Sequence, residues 1–195
     1  MTIDQPVATR ISGRSLAWRL GASATAAIGI VLLTWALTVD FTKVSYGFFS
    51  DGATYYSLAH SIADDFDFEY RREDLVRVWR EFPSGPEGIF LKRGRDVDVS
   101  LLEGFPFVRV TSSDDRDRTR LYYGKSFIFP LAAAPFVFLF GTNGFLVLHV
   151  VLITLAFLCA YAFLVARSHP VAALVFAFAY IFVTVAPVYM VWMTP

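Results

Sequence analysis

The 195-residue chain has one cysteine, no excess charge of either sign and almost no charge in its last third. A lone Cys159 inside an apolar run excludes a disulfide framework and a thiol metal site, and leaves the redox compartment unmarked. Lys and Arg total 17 against 17 Asp and Glu, so no net field invites a nucleic-acid partner. After Lys125 the only Lys, Arg, Asp or Glu is Arg167, and so uncharged a segment cannot form an ordinary soluble surface. What is present is apolar, 56% hydrophobic and 17% aromatic, which points to a membrane.

Leu20 to Val39 is free of charge and, as a helix, spans ~30 Å, the thickness of a hydrocarbon core. It is too long for a signal-peptide core and no small-x-small cleavage site follows, so it reads as a retained transmembrane helix. Residues 145–166 and 171–192 read as two further spans joined by the turn-like Arg167-Ser-His-Pro170. The run 126–140 contains Pro130 and Pro135 and reaches only ~22 Å as a helix, which predicts a juxtamembrane or re-entrant helix. The fold class expected is mainly α: a polytopic membrane protein with three transmembrane helices and a small mixed extramembrane loop subdomain. A chain stopping at the end of an apolar span also reads as the N-terminal part of a larger polytopic protein.

Arg10, Arg14 and Arg19 precede the first span, and Arg167 flanks the short connection between the second and third, so tail 1–19 and that connection belong in the cytoplasm. Segment 40–125 then faces the opposite side, and its 16 acids and 13 basic residues make it the place for soluble chemistry.

From Asp51 onward, Tyr55, Leu58, Ala59, Ile62, Ala63 and Phe66 recur at helical spacing, predicting an amphipathic helix that rests on the membrane surface. The acids Asp64, Asp65 and Asp67 stand at its far end. The simplest role for Asp51 is a helix cap, accepting from free backbone N–H groups at a cost of ~1 kcal/mol if lost. Turn signals at 83–88 and 112–117 and β-like runs such as 105–110 predict the mixed subdomain. The alternating charges of 114–120 read as a solvated loop.

The motif Leu121-Tyr-Tyr-Gly-Lys-Ser-Phe127 sets Lys125 at the edge of the apolar run. Its Gly-Lys-Ser is not a phosphate-binding P-loop, which needs a glycine where Thr119 stands and a strand-to-helix context. An interfacial anchor is the simplest role for this lysine. A carboxylate after one span and a cation before the next also meet the minimal needs of glycosyl transfer from a lipid-linked sugar phosphate. The phosphate leaves without a protonating acid, cations offset its charge, and the acceptor hydroxyl needs a base. Asp51 is the candidate base, with Lys125 and one of Arg118 or Arg120 as candidate phosphate holders.

The order of first span, Ser50-Asp-Gly-Ala-Thr-Tyr-Tyr-Ser-Leu-Ala59, long loop, then Tyr122 to Gly141 resembles the N-terminal part of the GT-C membrane glycosyltransferases, particularly protein O-mannosyltransferases and aminoarabinose transferases. Asp51 with Tyr55 and Ala59 matches the family's first-loop pattern, and Lys125 with Phe140-Gly141 matches its later one. Gly52 replaces the family's second acid and Ser126 replaces a proline, so the role of that second acid does not carry over. The resemblance implies a polyprenyl-phosphate sugar donor, an acceptor on the outer face, inversion at the anomeric carbon and residence in a bacterial inner (plasma) membrane. The residues call for no cofactor and leave the need for a divalent metal open.

Two rival classes are a transporter or flippase component and a non-enzymatic membrane protein whose outer loop binds a partner. The first is disfavoured because the spans contain no acid; the second is favoured if Asp51 and Lys125 lie far apart. His149 reads as a hydrogen-bonding residue near a span end, Trp18, Tyr189 and Trp192 as interfacial aromatics, and Cys159 as packing.

Overall fold

The structure, a computed structural model, describes residues 7–44, 48–94, 97–112 and 120–192. The protein is mainly helical, and two of its helical stretches, Leu16–Thr38 and Ile128–Val165, are long and apolar enough to cross a membrane. The chain divides into two compact units, one of residues 1–38 with 149–190 and the other chiefly of residues 39–148.

The first unit contains helix α1 (Val7–Thr38), most of α6 (Gly144–Val165), α7 (Pro170–Phe182) and α8 (Ala186–Met190). Its core is Phe157, Tyr161, Ala173, Ala177 and Ile181, while Ile30, Val31, Leu155, Phe163 and Phe176 point outward. Small residues let α1 approach α6. A Cβ at Gly21 would meet the Tyr161 ring at 2.1 Å, and that tyrosine's hydroxyl donates to the Ala17 carbonyl at 2.6 Å. The hydroxyls of Thr25, Thr34 and Thr38 donate to carbonyls four residues earlier, which satisfies them without water.

The expected continuous span 171–192 is instead broken after α7, 13 residues long. Pro187 explains the break: its ring has no N–H for the Val183 carbonyl and would collide with it. Thr184 supports the new start, accepting at 3.4 Å from the Ala186 N–H. Cys159 is exposed on α6 rather than packed.

In the second unit, α2 (Phe41–Val44) leads to α3 (Ser50–His60), which widens into a π-helical turn at Ser61–Asp65 and stops where Phe66 adopts φ 57°. Then come α4 (Arg72–Glu81), β1 (Leu91–Arg93), the hairpin of β2 (Val97–Leu101) and β3 (Val108–Ser112), β4 (Leu121–Tyr123) and α5 (Ile128–Phe140). β1 pairs antiparallel with β4, setting Leu91 opposite Tyr123, and β2 pairs with β3, setting Leu101 opposite Val108. At the end of α5, Gly141 takes φ 59°, and α6 begins so close that a Cβ on Gly144 would lie 2.4 Å from the Phe136 carbonyl.

Helix α3 differs from the surface helix its spacing predicts: every residue from Gly52 to Ala63 is buried. Aromatic rings enclose it, with Phe48 stacked on Phe82 at 3.9 Å and edge-on to Tyr56 at 4.9 Å, and Tyr56 5.9 Å from Phe145. On its polar side some side chains find partners inside the protein, while Ser57 Oγ and His60 Nε2 are buried without one among the described residues. Thr54 donates to the Ser50 carbonyl, Ser61 to Asp67, and His60 pairs with Asp64.

Candidate functional site

Two strap-like segments bring Asp51 and Lys125 together. Ser50 opens α3 at φ 56°, and its N–H donates to the Glu87 carbonyl at 2.7 Å, which ties the helix start to the loop before β1. Phe90 in that loop then spans both candidate residues. Its N–H donates to the Thr54 hydroxyl of α3 at 3.1 Å, and its carbonyl accepts from Gly124 at 2.7 Å, beside Lys125. A Cβ at Gly124 would sit 3.3 Å from that carbonyl, so the close approach suits glycine.

The result is an ion pair: Lys125 Nζ lies 2.9 Å from Asp51 Oδ1. The same ammonium sits over the Phe90 ring, 4.1 Å from its centroid. Both side chains are half-buried, so the pair keeps access to solvent. Asp51 is not the cap of α3, since Phe49 occupies that position and the Asp51 carboxylate turns to the lysine. Its place in the first helical turn still puts a negative charge where the helix dipole favours one. Lys125 is held by two protein partners, where a simple interfacial anchor needs none.

The other two candidates are placed differently. Arg120 Nη1 makes an ion pair with Glu69 Oε1 at 2.9 Å, and Arg118 lies outside the described residues. Glu69 also pairs with Arg71 at 3.2 Å, so Arg120 belongs to a salt-linked surface at the edge of β4.

A second polar cluster, centred on Arg77 of α4, is not marked in the sequence apart from Asp64 and Asp65. The guanidinium reaches Asp65 at 2.8 Å, Asp74 at 3.1 Å and Asp64 at 3.3 Å, and Asp64 in turn meets His60 Nδ1 at 3.1 Å. The His60 hydrogen bond, with help from Arg77, holds Asp64 below the usual carboxylate range. Asp74 is buried at 2% exposure, which pushes its pKa up to about 6, even though it accepts from the Arg71 N–H at 2.8 Å and caps α4. The buried Tyr123 lies against it, and burial raises that phenol as well. Next to this cluster, Tyr56, whose ring lies 4.6 Å from that of His60, donates to Glu81 at 2.9 Å, and Thr142 also donates to that carboxylate.

The arrangement of Asp51, Lys125 and Phe90 provides a carboxylate able to accept a proton and an ammonium able to hold an anion, on a rigid backbone frame. Phe90 and Thr54 were not among the residues singled out from the sequence, because an aromatic in a loop and a threonine in a helix carry no pattern of their own. Among the described residues, no three His, Cys, Asp or Glu side chains gather as metal ligands. His149 Nδ1 meets the Met190 carbonyl at 2.9 Å, at the last residue of α8. Trp18, Tyr189 and Trp192 are all exposed. No family model matches the chain, and no curated protein and no solved structure matches it.

Proposed function

We propose that this chain forms the donor-binding part of a membrane glycosyltransferase that moves a sugar from a polyprenyl-phosphate carrier to an acceptor on the outer face of the membrane, with inversion. The observation that carries the reading is the 2.9 Å approach of Lys125 to Asp51. Lys125 binds the donor phosphate, and Asp51 takes the proton of the acceptor hydroxyl as the acceptor oxygen bonds to the anomeric carbon. The bond from that carbon to the phosphate oxygen breaks, and the polyprenyl phosphate leaves as an anion without protonation. Arg118 and Arg120 are further phosphate holders in this proposal, Arg120 after leaving Glu69.

The membrane arrangement that goes with it has α1, α6 and the α7–α8 pair as three spans. Residues 40–125 are extracytoplasmic, and the tail with Arg10, Arg14 and Arg19 is cytoplasmic in a bacterial inner (plasma) membrane. Helix α5 lies at the membrane surface, where its Phe129 meets Tyr55 of α3 at 5.8 Å between ring centres. The test is transfer of labelled sugar from polyprenyl-phosphate donors by membranes carrying the protein, with the anomeric configuration of the product determined. Inversion supports a single displacement with Asp51 as base, and retention contradicts it.

A second reading, an outer loop that binds a partner protein, is favoured by the β2–β3 hairpin tip. There Phe105 and Phe107 are 89% and 58% exposed and meet edge to face at 6.2 Å. Deleting residues 103–106 abolishes function in this reading and leaves sugar transfer intact in the first.

A further inference from the structure

The contact that recommends Asp51 and Lys125 as a site also occupies both of them. Asp51 Oδ1 accepts from the ammonium at 2.9 Å, and a lone pair so engaged is not open to an acceptor hydroxyl. The lysine is equally committed, with Asp51 on one side and the Phe90 ring 4.1 Å away on another. We infer that the Asp51–Lys125 ion pair is a latch that the phosphate group of a lipid-borne donor opens, by replacing the Asp51 carboxylate on the Lys125 ammonium. This rests on the donor reading given above and adds its regulation: Oδ1 of the base is released from the lysine when phosphate takes its place.

Three features of the pair suit it to exchange. It is half-exposed, with 29% of the lysine side chain and 41% of the aspartate side chain open, so incoming anions reach it and the bond between them is weak. The two partners are held unequally. Phe90, fixed by its backbone bonds to Thr54 and Gly124, keeps the ammonium in place, while no described hydrogen bond other than that to Lys125 holds the Asp51 carboxylate. The carboxylate is therefore the partner that moves. A phosphate group presents more acceptor oxygens to the ammonium than the carboxylate oxygen it displaces. Once displaced, Asp51 stands beside the bound phosphate with its oxygens free for the acceptor hydroxyl. When the sugar has gone and the proton has been lost to solvent, the carboxylate returns to Lys125 as the product phosphate dissociates.

The test is equilibrium binding of farnesyl phosphate and of inorganic phosphate to the protein in phosphatidylcholine nanodiscs. Wild type is compared with Asp51→Asn, Asp51→Ala and Lys125→Ala. Removing the resident anion tightens farnesyl phosphate binding about fivefold in both Asp51 variants, the factor an exposed ion pair commands, and Lys125→Ala binds most weakly of all. Two substitutions at Asp51 guard against one that perturbs folding. If neither Asp51 variant binds more tightly while Lys125→Ala still loses binding, the latch is overturned and Lys125 remains a phosphate holder. If Lys125→Ala binds as well as wild type, the phosphate role fails, and the donor reading fails with it. Inorganic phosphate binding as tightly as farnesyl phosphate overturns a lipid-borne trigger.

Discussion

The ring of Phe90 carries the ammonium of Lys125, 4.1 Å from its centroid, while the Phe90 carbonyl accepts from the neighbouring Gly124. A half-exposed cation–π contact contributes ~0.5–1 kcal/mol, so Phe90→Leu, which keeps bulk and loses the quadrupole, weakens donor binding about two- to fivefold. Phe90→Trp restores it. The measurement is the donor KM of the three proteins, with kcat as the control that stays near wild type. A Leu variant indistinguishable from Trp would show that the ring serves packing alone.

Thr54 ties this frame to α3 by donating to Ser50 and accepting from Phe90 N–H. Thr54→Val has the same shape and leaves that N–H without its partner, at a cost of ~1–3 kcal/mol in stability. Thermal unfolding measures the loss, and faster amide exchange at Phe90 locates it.

Asp74 makes stability depend on pH. Its folded pKa of about 6 lies above the ordinary 3.8, so the folded state binds the extra proton between those values. Stability therefore falls as pH rises from 3.8 to about 6 and stays lower beyond, by roughly 3 kcal/mol for such a shift. Asp64, whose pKa is lowered, acts the other way: its contribution is present above 3.8 and is lost only as pH falls through its lower folded value. Asp74→Asn keeps an acceptor for the Arg71 N–H and removes the buried charge. It is more stable than wild type at pH 7.5 and gains nothing at pH 4. Melting curves at the two pH values read the difference.

Two glycines of α1 and α6 differ in what surrounds them. A Cβ on Gly144 meets the Phe136 backbone at 2.4 Å, whereas one on Gly29 meets the Thr154 side chain at 3.4 Å. Gly144→Ala forces backbone to move and costs ~1–3 kcal/mol, and Gly29→Ala costs less than 1 kcal/mol, both read from melting temperatures.

Much of this was legible where a single physical demand governs the residues. Long runs without charge announce apolar helices, and so the stretches around Leu20–Val39 and 145–166 stand out before any coordinates are seen. Asp51 and Lys125 were noticed because each follows or precedes such a run, although nothing in their spacing says that they touch. That contact depends on Phe90, whose part is played by two backbone groups and a ring face, features that no one-dimensional pattern records. The periodicity of Tyr55, Leu58 and Ile62 correctly marks a helix, yet it misplaces it on a surface. Thr54, Ser57, His60 and Ser61 look like a wet face, but all four are buried. The break in 171–192 is available in principle from Pro187, a helix breaker inside a long apolar run that the reading by length alone passes over. The Arg77 cluster gathers acids from the π-helical turn after α3 and from α4, a meeting set by packing.

The most direct measurement is steady-state sugar transfer from a polyprenyl-phosphate donor by the protein in membranes, comparing wild type with Asp51→Asn and Lys125→Ala at matched expression. The account predicts that Asp51→Asn loses kcat by about 10²–10⁴-fold, the scale of a general base. It predicts that Lys125→Ala raises the donor KM. Full activity in both variants would contradict it, leaving the 2.9 Å pair as a structural tie between the start of α3 and the turn before α5.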